Sequence, residues 1–169
     1  MPISPDTLSN LNITELELTA ALVQDVQDVF STMLGVDDIT HVPDQTELAN
    51  ACSGTCLTAM VGMVGKYNGM VSIILPLPLA LSFTSLMLDM EVTEMNGDVN
   101  DAMGEIANMI GGSFKLHLSK AGDDVKLSIP SVVCGSSYTV SAASTTDVLT
   151  LDLKSGSEMF VISLTIEKE

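Results

Sequence analysis

The chain has 169 residues, 46% of them hydrophobic, which suffices for one well-filled core and hardly for two. Its 22 acidic residues face only 6 basic ones, all lysine, for a formal charge of −16, so phosphate-backbone neutralisation has no basis and nucleic acid is excluded as a partner. The acidity is by default a solvated surface and identifies nothing by itself.

Residues 1–169 are therefore expected to form a single domain. The N-terminus "MPISPDTLSN" has neither a positive region nor an apolar one, so it does not read as a secretory signal. Thr14 and Glu17 have capping-box spacing, and Leu22, Val26, Val29, Phe30 and Met33 then recur at helical intervals as far as Gly35, which predicts a first helix. After a polar stretch, "TCLTAMVGMVGKYNGMVSIIL" reads as two strands joined at Asn68-Gly69, a pair suited to a tight hairpin turn. The uncharged run from Tyr67 to Leu88 is long enough for a bilayer, but Pro76 and Pro78 interrupt it and hydroxyl side chains dilute it. It reads instead as a buried strand followed by a helix that starts near Pro78, with Leu79, Phe83, Leu86, Met87 and Met90 on one face. No membrane insertion is expected.

A longer helix is predicted from a cap near Asp98 to about Ala121-Gly122. Beyond it, "DVKLSIPSVV" has strand character. Leu149, Leu151 and Leu153 alternate, a turn falls at Ser155-Gly156, and Phe160, Ile162, Leu164 and Ile166 alternate again. This order of elements predicts an α+β fold, an antiparallel-rich β-sheet with helices packed on one face. The three cysteines, Cys52, Cys56 and Cys134, cannot all pair and suit a reducing cytoplasm. With His41 and His117 they match no zinc spacing, and no metal site is expected. Most of the eleven methionines sit at core-type positions, which leaves no support for a methionine-rich ligand carrier.

The informative stretch is "NDAMGEIANMIGGSFK", residues 100–115. At about 100° per residue, Ala102, Ile106, Met109, Ser113 and Leu116 share a sector expected to meet the core, with His117 nearby. Asp101, Glu105, Asn108 and Gly112 share another, expected to meet solvent or a partner. Gly111 and Gly112 each cost about 1 kcal/mol relative to Ala in a helix interior, so the backbone there is bare for close packing or for close approach of a partner. Glu105 and Asn108, three residues apart, project into one volume. The first offers charge and two acceptors, the second an acceptor and two donors able to hold a water in a fixed orientation. An acidic residue and an asparagine on an exposed helix face are also ordinary, and the spacing alone does not decide for catalysis.

"DAMGEIANMIGGSFK" resembles the signature helix of the CheX/CheC/FliY chemotaxis phosphatases: Asp or Ser, three residues, Glu, two residues, Asn, then a small-residue stretch. The motif falls on Asp101, Glu105 and Asn108. "VFSTMLG" (Val29 to Gly35) resembles the end of the family's first helix, and "YNGMVSIILPLPLALSFTSLML" its hairpin, proline and helix. No asparagine occurs from Thr14 to Gly35, so the second motif of CheC-type members is missing and the chain is similar to CheX, with one site.

The resemblance implies a CheC-like fold and a cytoplasmic phosphatase that hydrolyses the aspartyl phosphate of a CheY-like response regulator. It further implies no covalent intermediate and no cofactor bound by this chain, Mg2+ being held by the receiver. In that reading Asn108 orients the attacking water and Glu105 pairs with the receiver's lysine. Asp101 is a helix-positioning or rim contact rather than a reactant, and Gly112 lies where the two proteins meet, with packing on the chain's own sheet as the alternative for the glycines. A non-catalytic CheX-like module that only binds a receiver or another signalling domain is the competing function. A symmetric homodimer is also expected, because the strands Leu149 to Leu153 and Met159 to Ile166 are long, apolar on one face and little guarded by lysine.

Overall fold

The computed structural model describes residues 2–43, 54–119, 124–141 and 146–167. Among the described residues four helices, α1 (Pro5–Leu11), α2 (Glu15–Leu34), α3 (Leu77–Leu88) and α4 (Gly97–Leu118), accompany seven strands. The strands are β1 (Thr40–His41), β2 (Cys56–Gly65), β3 (Gly69–Pro76), β4 (Val125–Leu127), β5 (Ser131–Gly135), β6 (Thr146–Ser155) and β7 (Glu158–Glu167). All strand pairings are antiparallel, in the order β1-β6-β7-β3-β2-β4, with β5 also pairing β2. This is the expected α+β architecture.

Alternation decides which face of the sheet is covered. Leu57, Ala59, Val61 and Met63 of β2, Val71, Ile73 and Leu75 of β3, and Phe160, Ile162, Leu164 and Ile166 of β7 are buried in one apolar cluster with α2, α3 and α4. Phe30 of α2, Phe83 of α3 and Phe160 of β7 meet at ring-centroid distances of 4.9 to 5.9 Å, tying two helices to the centre of the sheet.

The α2 capping box forms as read: Thr14 accepts from the Glu17 amide, and the Glu17 carboxylate accepts from the Thr14 amide at 2.9 Å. Gly35 ends the helix at φ 67°. Helix α1 and the two-residue β1 carry too little periodicity to be seen in the sequence. The first is held by tertiary contacts, since the Ser4 amide, the Ser4 hydroxyl and the Thr7 hydroxyl all donate to buried Asp147 on β6, at 3.1, 2.8 and 2.8 Å.

Four expectations change. The β2–β3 connection is not a two-residue turn at Asn68-Gly69: the last paired residues are Met63 and Gly69, Gly65 takes the positive φ, and the Asn68 side chain accepts from the Gly65 amide. Gly69 is bare for another reason, because a Cβ there would collide with the Thr165 carbonyl of β7. Leu86 and Met90 are exposed, and the buried face of α3 is Leu79, Ala80, Phe83 and Thr84. Strand β7 lies between β6 and β3 and offers no edge, so of the two strands proposed for pairing with a second copy only β6 lies near one, beside the short β1. Cys56 is disulfide-bonded and Cys134 is free, whereas the cysteine set, unable to pair completely, reads from the sequence as suiting a reducing cytoplasm. A disulfide requires only two suitably placed Cβ atoms about 4 Å apart, which an odd number of cysteines does not preclude. No helix among the described residues is long and apolar enough to cross a membrane.

Candidate functional site

Helix α4 begins two residues earlier than its sequence suggests. Asn96, not Asp98, is the cap, its side-chain oxygen accepting from the Asp98 and Val99 amides at 2.9 and 3.2 Å. The helix ends at Leu118, with Ser119 as its C-cap, short of the expected Ala121-Gly122, which lies outside the described residues. Its C-terminal half is fastened to α2 by the 2.6 Å contact between His117 Nε2 and Asp25 Oδ2.

The buried face of α4 is Val99, Ala102, Met103, Ile106, Ala107, Ile110, Phe114 and Leu118. Ala102 and Ile106 were assigned to it correctly. Met109 and Leu116 were not: they are 39% and 58% exposed. The apolar stripe is centred on Ile110 and Met103, so the two residues at the rim of the sector read from the sequence turn outward.

Asp101, Glu105 and Asn108 are all exposed and Gly112 is half-exposed, on the one face where the sequence placed them. Neither the Glu105 carboxylate nor the Asn108 carboxamide is engaged by another described residue. The pair stands on the exposed ridge of α4, and the cavities of about 310 Å3, lined by Thr58, Tyr138 and their neighbours, and of about 730 Å3, lined by Ser4, Lys66 and Glu167 among others, open at other elements. A ridge suits a macromolecular surface better than a small molecule, which needs concave walls to lose its water. Among the described residues no three His, Cys, Asp or Glu side chains gather as metal ligands.

The glycines divide. A Cβ at Gly111 would lie 3.6 Å from the methyl groups of Leu127 and Val61, inside the chain's own packing against β2 and β4. Gly104, which the sequence did not single out, is more tightly placed, its Cβ position 3.3 Å from Pro130 Cβ. At Gly112 a Cβ would meet nothing within 4 Å. Gly111 therefore faces the sheet with room for ordinary contacts only, and Gly112 faces none of the described residues.

Residues 57–154, more than half of the chain and including all of α4, match the family model described as chemotaxis phosphatase CheX. The chain belongs to the CheX family. None of the curated proteins matches it. Among solved structures, CheX from Vibrio vulnificus superposes with a TM-score of 0.74 at 25% identity, over 89% of this chain and 97% of that one. CheX from Desulfovibrio desulfuricans does so with 0.71 at 27% identity, over 89% and 99%. The CheX of a CheX–CheY–BeF3–Mg2+ complex from Borrelia burgdorferi shares the fold, with a TM-score of 0.74 at 18% identity over 91% of this chain and the whole of that one. Family membership makes this chain a CheX-type member of the chemotaxis phosphatases, with the antiparallel sheet and helix layer of CheC-like proteins.

Proposed function

We propose that this chain removes the phosphoryl group from the aspartyl phosphate of a CheY-like receiver, with Asn108 and Glu105 as the residues that do so. The observation that carries the reading is their placement: an unengaged carboxamide and an unengaged carboxylate, one turn apart on the exposed ridge of the family's signature helix. The Borrelia relative, whose structure was solved with CheY, BeF3 and Mg2+, supports a receiver as the partner of a chain with this fold.

An acyl phosphate is already activated, so the assistance it needs is a water held in line with phosphorus and a receiver held still. The Asn108 carboxamide can accept from that water and donate to the phosphoryl oxygens, fixing its approach without a covalent intermediate. The Glu105 carboxylate meets the lysine beside the receiver's phosphoaspartate in a charge-assisted bond that locks the docked geometry. Asp101, a turn nearer the N-terminus, lies at the rim. Mg2+ belongs to the receiver, where it neutralises charge on the phosphoryl group. The receiver substrate, and not the cysteine count, carries the cytoplasmic assignment. A homodimer joined near β6 leaves α4 of each copy free, because the ridge lies on the helix layer and away from that edge.

The test is phosphate release from a panel of phosphorylated receivers with Mg2+. Wild-type protein should accelerate it, and Asn108→Ala should lose about 10²-fold in rate while still binding. Equal release by wild type and Asn108→Ala would remove the catalytic assignment and leave a receiver-binding module.

A further inference from the structure

Gly112 is the one glycine in the body of α4 whose missing side chain no described residue makes use of, and two large apolar side chains stand in water beside it. Met109, three residues before, is 39% exposed, and Leu116, four residues after, is 58% exposed. Positions 105, 108, 109 and 112 are spaced i, i+3, i+4, i+7, the four corners of a hole that takes a side chain from an opposing surface. Three corners are Glu105, Asn108 and Met109. The fourth is bare.

We propose that this notch receives an apolar side chain of the receiver next to its phosphoaspartate, with Met109 and Leu116 as its apolar flanks, and that these three residues set affinity and choice of receiver. The inference rests on the reading of Glu105 and Asn108 given above and adds what anchors the partner. Continuity commits the occupant: Gly112 lies about 6 Å and Leu116 about 12 Å along the helix axis from Asn108. A partner protein covering the usual ~800 Å2 per side, with its phosphoryl group over Asn108, must cover all of these positions. Charged pairs such as the one assigned to Glu105 tend to set rate and register of association, whereas buried apolar anchors hold the complex. On a protein of net charge −16, apolar side chains at this ridge are where such an anchor is found next to the signature pair.

The decisive variant is Gly112→Ala, because its effects on folding and docking have opposite signs. In the free protein the added methyl meets nothing and the helix gains propensity, so the melting temperature should rise by about 2–4 °C. Binding to a CheY receiver carrying beryllofluoride and Mg2+, with beryllofluoride standing for the phosphoryl group, should weaken about tenfold in calorimetry, and Leu116→Ser should weaken it to a similar extent. In turnover, KM for the phosphorylated receiver should rise about tenfold with kcat within about threefold of wild type. A Gly112→Ala protein that is more stable and binds as wild type does overturns the notch, as does one that is less stable, since the bare position would then serve the fold. The calorimetric arm stands apart from the catalytic reading: wild type that binds without hydrolysing defeats the reading of Asn108 and still tests the notch. Wild type that binds no charged receiver defeats both.

Discussion

Replacing Gly111 by Ala should stabilise the protein, whereas the same change at Gly104 should not. At Gly111 the new methyl would sit 3.6 Å from Leu127 Cδ1 and Cδ2 and from Val61 Cγ1, ordinary contact distances with no atom displaced. Helix propensity contributes about 1 kcal/mol, and burying one methyl group contributes at most about 0.8 kcal/mol. The sum of about 1–2 kcal/mol corresponds, in a domain of this size, to a rise of about 2–8 °C in melting temperature. At Gly104 the methyl would lie 3.3 Å from Pro130 Cβ, part of a ring that cannot rotate away. Overpacking there costs about 1–3 kcal/mol, which the propensity gain only partly offsets. Urea unfolding of the three proteins measures both, through midpoints at unchanged slope. A Gly111→Ala protein less stable than wild type, or a Gly104→Ala protein as stabilised as Gly111→Ala, would refute the reasoning that space for a methyl exists at Gly111 and not at Gly104.

Glu105→Gln should weaken receiver binding by about 1–3 kcal/mol, and added salt should reduce wild-type affinity towards that of the variant; equal affinities by titration calorimetry would count against the lysine contact. At the start of α2, the bonds from the Thr14 amide and then from its hydroxyl hold Glu17 below its ordinary value of 4.5. A depressed carboxylate stabilises the fold above its unfolded value and ceases to as pH falls through the lower folded value. Wild type should therefore lose more stability than Glu17→Gln between pH about 6 and pH about 3, and parallel losses in denaturant midpoint would remove the capping contribution. In sedimentation the protein should run as a dimer at micromolar concentration and take up two receivers; a single species near 17.8 kDa, or one receiver per dimer, would dispose of the proposed assembly.

The sequence alone determined what depends on local chemistry. Thr14, Glu17 and Gly35 fixed α2, because caps act within one turn. Alternation in Leu149 to Leu153 and Phe160 to Ile166 fixed the buried faces of β6 and β7, because a strand has only two faces to choose between. The spacing of Asp101, Glu105 and Asn108 put them on one side of α4 whatever the rest of the chain did. Tertiary structure decided what depends on neighbours distant in sequence. Helix α1 exists through its bonds to Asp147, 140 or more residues away. Strand β7 is interior because β3 pairs along it, which its own alternation does not reveal. Met109 and Leu116 looked like core because a helical wheel locates an apolar stripe only to within a residue's width, and it is the angle at which α4 meets β2 and α2 that selects the buried edge. The two adjacent glycines were alike in the sequence. Their roles separated only when Leu127 and Val61 were found facing one of them and nothing within 4 Å facing the other, since a 100° turn between consecutive residues sends one towards the sheet and the other into water.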